Sequence, residues 1–205
     1  MFKLTINSFV VGICKKSYIK LSYRRILLII FTITFSSSFA QNKEKSKINT
    51  KINKDYNSSR KAFKGKLNSE EYKEIRNLIL KELKVEIPEK NAILINYYQY
   101  GNNCYEYKLD EKDALTVIQN CFRISSRLSK ENNTSDFFVY SSEALKKERI
   151  ETFNNFILDS GFFDKNIFTL KENCRAFFIL KSDGEFLKYY GSDYFSEVKN
   201  FLEKK

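Results

Sequence analysis

The stretch that most constrains the fold of this chain lies near its end. Two apolar runs, Ala176–Leu180 and Phe186–Tyr190, flank the pair Asp183-Gly184. This pattern predicts an antiparallel β-hairpin with a tight turn in which both central residues take positive φ, a conformation that glycine adopts at no steric cost. A cysteine, Cys174, stands directly before the first run. The fold must therefore place a β-hairpin in a sheet and bring a candidate reactive residue to its start.

The first forty residues have the pattern of a secretory signal. They contain six basic and no acidic residues, the apolar run Ile26–Phe35, and the small residues Ser38 and Ala40. This pattern predicts that residues 1–40 are a signal peptide, that the mature protein begins at Gln41, and that it is exported to the periplasm or the extracellular space with no membrane span. The alternative is an uncleaved membrane anchor through residues 26–40, although the apolar run is shorter than the roughly 20 residues that a span needs.

The net charge of +11 is distributed unevenly along the 205 residues. Residues 41–66 hold nine basic and two acidic side chains, whereas residues 67–205 hold 21 basic and 23 acidic ones. Because the basic character lies outside the expected folded part, we predict no nucleic-acid partner. Residues 41–66 are also poor in apolar side chains, which predicts a disordered basic linker.

The chain contains no histidine. This absence excludes Ser-His-Asp and Cys-His catalysis and any zinc site with a histidine ligand. The sequence also has no glycine-rich phosphate loop and no Cys-x-x-Cys pair. We therefore predict no cofactor and no metal site, and a function that is more readily binding than catalysis.

The rest of the chain predicts an alternation of helices and strands. Asn68 to Glu71 form a capping box that begins an N-terminal helix within residues 67–90, and Pro88 ends it. The elements expected after it are a strand at Ala92–Tyr98, a helix capped at Asp110, a strand at Asp136–Tyr140, a helix from Ser141 or Ser142 to about Ser160 with Gly161 as its stop, the hairpin, and a last helix from about Ser192. Strands that alternate with helices indicate an α/β fold with a parallel pair of strands, which the hairpin extends.

This order over residues 91–205 resembles the thioredoxin-like superfamily. The turn Lys181–Glu185 is similar to that of the terminal hairpin in secreted, TlpA-like members. The resemblance implies a thioredoxin-like domain with a central mixed sheet in the order β-α-β-α-β-β-α, preceded here by one extra N-terminal helix at 67–90.

The motifs that carry the chemistry of that family are changed in this chain. Family members have a Cys-x-x-Cys after the first core strand and a cis-proline at the start of the hairpin. Here the first stretch holds Cys104, with Tyr107 at the resolving position, and Cys174-Arg175-Ala176 stands in place of the proline. The resemblance therefore implies the fold but not the ordinary dithiol activity.

Three cysteines remain after loss of the leader. Cys121 lies on the apolar stripe of a predicted helix, which favours a buried, unpaired side chain. The implied fold brings Cys104 and Cys174 together at one end of the sheet. They could form a structural disulfide, act as a redox pair in which Arg175 and the following helix favour the Cys104 thiolate, or stay unpaired.

The tyrosines around Cys104 offer a candidate binding surface. Tyr100, Tyr105, Tyr107 and Arg175 could receive a protein or peptide client, while cross-strand packing is the alternative role of the aromatic rings. The predicted function is an exported thioredoxin-like binding or envelope-quality module without efficient dithiol reductase activity. The alternatives are a thiol–disulfide oxidoreductase that uses Cys104 and Cys174, and a structural or surface-interaction protein that the disulfide stabilises.

Overall fold

The computed structural model describes residues 47–192 and 195–204, which form one six-stranded mixed sheet with helices on both faces. The strands are β1 Lys61–Lys66, β2 Ala92–Tyr98, β3 Thr134–Tyr140, β4 Phe156–Leu158, β5 Arg175–Leu180 and β6 Glu185–Tyr190. Their order in the sheet is β1-β6-β5-β2-β3-β4. The predicted signal peptide and its cleavage site lie outside the described residues.

Six α-helices surround this sheet in the described part of the chain. They are α1 Lys54–Ser59, α2 Ser69–Leu83, α3 Glu111–Glu131, α4 Lys147–Ile150, α5 Phe162–Asn166 and α6 Phe195–Glu203, and a 3-10 helix covers Tyr105–Lys108. Over residues 47–192 and 195–204, no helix has the length and apolar character to cross a membrane.

The centre of the sheet is the parallel pair β2 and β3. The two strands run in register from Ala92 beside Thr134 to Tyr98 beside Tyr140. The antiparallel strand β5 pairs with the other side of β2. All seven residues of β2 are buried, as expected for a strand with neighbours on both edges and cover on both faces. The predicted parallel pair with a hairpin added to it is confirmed.

The hairpin of β5 and β6 is confirmed, but its turn is wider than predicted. The N–H of Gly184 donates to the carbonyl of Lys181 at 3.1 Å, and the N–H of Lys181 donates to the carbonyl of Glu185 at 2.8 Å. Gly184 has a φ of 85°, whereas Asp183 keeps a negative φ. The carboxylate of Asp183 accepts a hydrogen bond from the N–H of Glu185 instead. The turn thus needs one left-handed residue, not two.

Two of the predicted helix caps, Asn68 at α2 and Asp110 at α3, are confirmed. The side chain of Asn68 accepts hydrogen bonds from the N–H groups of Glu70 and Glu71, and the Glu71 carboxylate accepts one from the N–H of Asn68. These contacts form a capping box at the start of α2. At the start of α3, the Asp110 side chain accepts from the N–H of Asp113 at 2.8 Å.

The prediction of a disordered linker over residues 41–66 is wrong for the described part of that segment. Strand β1 pairs antiparallel with β6 from Lys61 beside Tyr190 to Lys66 beside Glu185. Helix α1 precedes it and buries Tyr56. Composition indicates whether an isolated segment can fold. This segment folds as part of the domain, because the edge of β6 forms backbone hydrogen bonds with it.

The prediction of one helix from Ser141 to about Ser160 is also wrong. The chain forms only the four-residue helix α4, then the short strand β4 parallel to β3, and Gly161 precedes α5 instead of ending a helix. The ring of Phe156 packs edge-on against those of Tyr98 and Phe138, with centroid distances of 4.9 and 5.7 Å. This aromatic packing and the pairing with β3 outweigh the helical spacing of the apolar residues.

The hydrophobic core has separate parts on the two faces of the sheet, each covered by helices. One face packs α2 and α5 onto the sheet through residues such as Ile79, Leu83 and Phe163. A second cluster joins the sheet to α3 and α6 through Leu128 and Val198. A third cluster surrounds the ends of β2 and β3 and contains Cys121 and Tyr98 among others. The candidate site lies beside this third cluster.

Candidate functional site

Cys104 and Cys174 form a disulfide, as predicted, with their Cα atoms 5.3 Å apart. Cys104 follows the loop after β2, and Cys174 directly precedes β5. Because β2 and β5 are antiparallel neighbours, the end of one and the start of the other lie at the same edge of the sheet. Both half-cystines are buried, with exposed fractions of 4% and 5%.

Backbone hydrogen bonds hold the two half-cystines in place. The N–H of Gln99 donates to the carbonyl of Cys174, and the N–H of Cys174 donates to the carbonyl of Asn103. The N–H of Cys104 donates to the carbonyl of Asn49 at 2.9 Å. Asn49 belongs to the segment interpreted as a linker, so no local sequence pattern indicated that it would support the site.

Gly101 allows the loop after β2 to approach Cys174 closely. A Cβ atom at this position would lie 2.2 Å from the carbonyl carbon of Asn173 and 2.4 Å from the backbone nitrogen of Cys174. These backbone atoms cannot move aside as a flexible side chain could. Glycine is therefore required here by the close passage of two chain segments.

The buried side-chain amides of Gln99 and Asn173 form hydrogen bonds with backbone groups around Cys174. The Gln99 amide donates to the carbonyls of Leu170 and Asn173, at 2.7 and 2.8 Å. The Asn173 amide donates to the hydroxyl of Ser59 and accepts from the N–H of Arg175. Neither residue was predicted to support the site. For Gln99 one signal was available, a polar residue soon after a strand of apolar and aromatic residues.

Arg175 is buried, although it was predicted to belong to an exposed binding surface. Its exposed fraction is 1%. The guanidinium lies 3.5 Å from the centre of the Tyr98 ring, Nη1 donates to Glu106 at 3.2 Å, and Nη2 lies 3.0 Å from the sulfur of Cys121. The guanidinium of Arg175 is thus held inside the protein between Tyr98, Glu106 and Cys121.

Cys121 is buried and unpaired, as predicted. It lies in the third core cluster, on the face of α3 that packs against the sheet. Within residues 47–192 and 195–204, no group of three or more histidine, cysteine or acidic side chains is placed to hold a metal ion.

A small open cleft borders the disulfide. Both half-cystines contribute to its wall, and its floor is apolar, formed in part by Ile118 and Ile150. The cavity volume is about 50 Å³, enough for a few water molecules or one small group of a ligand. The cleft can therefore receive the tip of a side chain, but not a large cofactor.

The rim of the cleft is aromatic and charged. Tyr107 is 38% exposed, and the ammonium group of Lys146 lies 4.9 Å from the centre of its ring. Arg149 lines the cleft and forms an ion pair of 2.7 Å with Glu111. Tyr107 is the member of the predicted surface that combines exposure with a position on the cleft.

Two other predicted surface residues, Tyr100 and Tyr105, lie outside the cleft lining. The hydroxyl of Tyr100 donates to the Asn102 side chain at 2.9 Å. The ring of Tyr105 lies 4.1 Å from the ammonium group of Lys108. Both are partly exposed on the loop and 3-10 helix next to the disulfide, so the structure brings only part of the predicted surface together.

A second polar cluster centres on Asp159, on the other side of β2. The hydroxyl of Tyr97 donates to Asp159 at 2.8 Å, and the same carboxylate accepts hydrogen bonds from the N–H groups of Gly161, Phe163 and Asp164. Burial, followed by the hydrogen bond to Asp159, raises the pKa of Tyr97 far above its usual value. The neutral phenol is thus fixed as a donor, and the cluster anchors the start of α5.

No protein-family model, curated protein or solved structure matches this chain. The function of the disulfide and its cleft is therefore inferred from their geometry.

Proposed function

We propose that the chain is an exported, thioredoxin-like binding module in which the Cys104–Cys174 disulfide is structural. The observation that carries the proposal is the state of this pair: both half-cystines are buried, and they are joined across a sequence separation of 70. A disulfide of this kind closes a long loop and stabilises the fold. The parallel pair β2 and β3 and the antiparallel hairpin support the thioredoxin-like assignment.

The surroundings of the disulfide argue against efficient reductase activity. A client thiolate must attack a sulfur atom directly, and the sulfurs belong to residues that are 4% and 5% exposed. Tyr107 occupies the position of the usual resolving cysteine. The remaining described cysteine, Cys121, contacts Arg175 inside the core.

The cleft beside the disulfide supports binding of a protein or peptide client. Its apolar floor and the exposed ring of Tyr107 can cover a small apolar group, while Lys146 and Arg149 can contact polar groups around it. The disulfide and the leader pattern both support export, because such bridges persist in oxidising compartments.

One observation favours the second candidate, a thiol–disulfide oxidoreductase. Both half-cystines line the cleft, so a client bound there would lie next to the sulfur atoms. The reduction potential of the pair separates the two functions. A structural bridge has a potential below about −300 mV, whereas a catalytic pair in an exported oxidoreductase lies well above it.

To measure the reduction potential, the purified protein is equilibrated with dithiothreitol buffers of different redox potential, and its free thiols are counted. Cys121→Ala is the matched control, because it removes the unpaired thiol of Cys121 and leaves the Cys104–Cys174 pair intact. A Cys174→Ala variant, which leaves Cys104 as a thiol, is then expressed in the exporting host. We expect a potential below about −300 mV and no mixed disulfides with other proteins. A higher potential together with trapped mixed disulfides would establish the oxidoreductase instead.

A further inference from the structure

A second concave surface, which shares no lining residue with the disulfide cleft, lies between α2 and the corner from β4 to α5. We call it the α2–β4 groove. Its cavity volume is about 610 Å³. The floor includes Leu83, Ile157 and Phe162, which pack against the main core cluster of the sheet. The groove thus opens directly onto the hydrophobic core.

Two leucines on the groove are unusually exposed. Leu78 of α2 is 41% exposed, and Leu158 of β4 is 53% exposed. Single exposed leucines are common on soluble proteins and need no explanation. Here two of them line the same groove above apolar floor residues, and grouped exposed apolar side chains are a feature of surfaces that partners cover.

The rim of the groove is positively charged. Lys81, Lys84 and Lys165 line it and are exposed. The one acidic residue of the lining, Glu82, accepts a hydrogen bond from the N–H of Ser160, which ties its carboxylate to the protein. Residues 67–205 as a whole carry two more acidic than basic residues. This local excess of positive charge favours an acidic ligand.

Strand β4 also leaves backbone groups available at the groove. It is the last strand of the sheet and pairs with β3 alone. The N–H of Asp159 donates to the carbonyl of Tyr140, so by strand alternation the backbone groups of Leu158 point away from β3. An extended peptide beside β4 could use them.

We propose that the α2–β4 groove binds an extended segment of a partner protein in which apolar residues alternate with acidic ones. The apolar side chains would cover Leu78 and Leu158, and the acidic ones would face the three lysines. The chain's own leader does not fit, because residues 1–40 carry six basic residues and no acidic one. This site is independent of the function proposed for the disulfide cleft.

The test measures fluorescence polarisation of a labelled peptide, acetyl-Glu-Leu-Asp-Leu-Glu-Leu-Asp-Leu-amide, with the purified full-length chain. Two matched probes replace all leucines by glycine or all acidic residues by lysine. We expect saturable binding of the first probe, and binding at least about tenfold weaker for each of the others. Equal affinity for all three peptides, or no saturable binding of the first, would overturn the proposal.

Variants locate the binding on the protein. Leu158→Ser should weaken binding about tenfold, and Lys165→Glu about fivefold, the latter effect shrinking in about 0.5 M NaCl. The matched controls are Phe63→Ser, an exposed aromatic on β1, and Lys73→Glu, an exposed lysine of α2 outside the groove. Thermal unfolding verifies that each variant is folded. Binding that the controls weaken as much as the groove variants do would refute this location.

A second copy of the chain is the competing occupant. Size-exclusion chromatography with light scattering measures the mass of the wild-type protein and of Leu158→Ser across a range of concentrations. We expect the same mass for both. A wild-type dimer that Leu158→Ser abolishes would assign the groove to self-association and overturn the proposal.

Discussion

Reduction of the Cys104–Cys174 disulfide should cost the protein a large part of its stability. The sequence separation of 70 sets the loop that the bridge closes. In the chain-entropy relation, such a loop removes about 15 cal/mol/K from the unfolded state, which is about 4 kcal/mol at 25 °C. For a domain of this size, that corresponds to a fall in Tm of roughly 8–16 °C. Domains have total stabilities of only about 5–15 kcal/mol, so the loss would be obvious.

The assay is equilibrium unfolding in urea, monitored by circular dichroism, of oxidised and fully reduced protein. With a urea slope of about 2 kcal/mol/M, the midpoint should fall by about 2 M on reduction. Cys121→Ala is the control, because it removes a buried thiol that belongs to no bridge. It should lower both midpoints by the same amount and leave their difference unchanged. Equal midpoints for oxidised and reduced wild-type protein would refute the reasoning.

Three further predictions concern the surroundings of the site and the core. Gly101→Ala should lower stability by about 2–3 kcal/mol, because the added Cβ would meet the backbone of Asn173; an unchanged Tm would contradict this. Above about pH 10, the unfolded chain loses the Tyr97 proton while the folded chain retains it, so this tyrosine makes stability fall by about 1.4 kcal/mol per pH unit. Urea unfolding between about pH 10 and pH 12 should therefore show a shallower fall in Tyr97→Phe, and an identical slope would count against the assignment. Asp159→Ala should cost about 2–4 kcal/mol in thermal unfolding, because three backbone N–H groups and a phenol lose their acceptor.

The parts of the fold that the sequence predicts are those in which local and long-range forces agree. Strand β2 is apolar along nearly its whole length, and α2 carries its own capping box. The hairpin follows from two apolar runs around a turn. The Cys104–Cys174 bridge could be anticipated because the implied topology brings the end of β2 beside the start of β5.

The remaining parts depend on contacts between distant segments. The apolar spacing around Phe156 fits a helix as well as a strand, and pairing with β3 decides for the strand. Arg175 looks like a surface residue in the sequence, and only the folded chain supplies Tyr98, Glu106 and Cys121 around its guanidinium. The carbonyl of Asn49 accepts a hydrogen bond from the N–H of Cys104, and no local pattern in the sequence indicates a contact between residues so far apart along the chain.

The pairing of β1 with β6 has a consequence for the order in which the chain folds. The first strand of the described chain pairs with the last one. Because synthesis proceeds from the N-terminus, β1 has no strand partner until β6 has been made. An unpaired strand rich in apolar residues would risk aggregation during that delay. The three lysines of β1 and its few apolar side chains make the waiting segment soluble. The lysine-rich composition of β1, which resembles that of a linker, thus suits a strand that can pair only after β6 has been made.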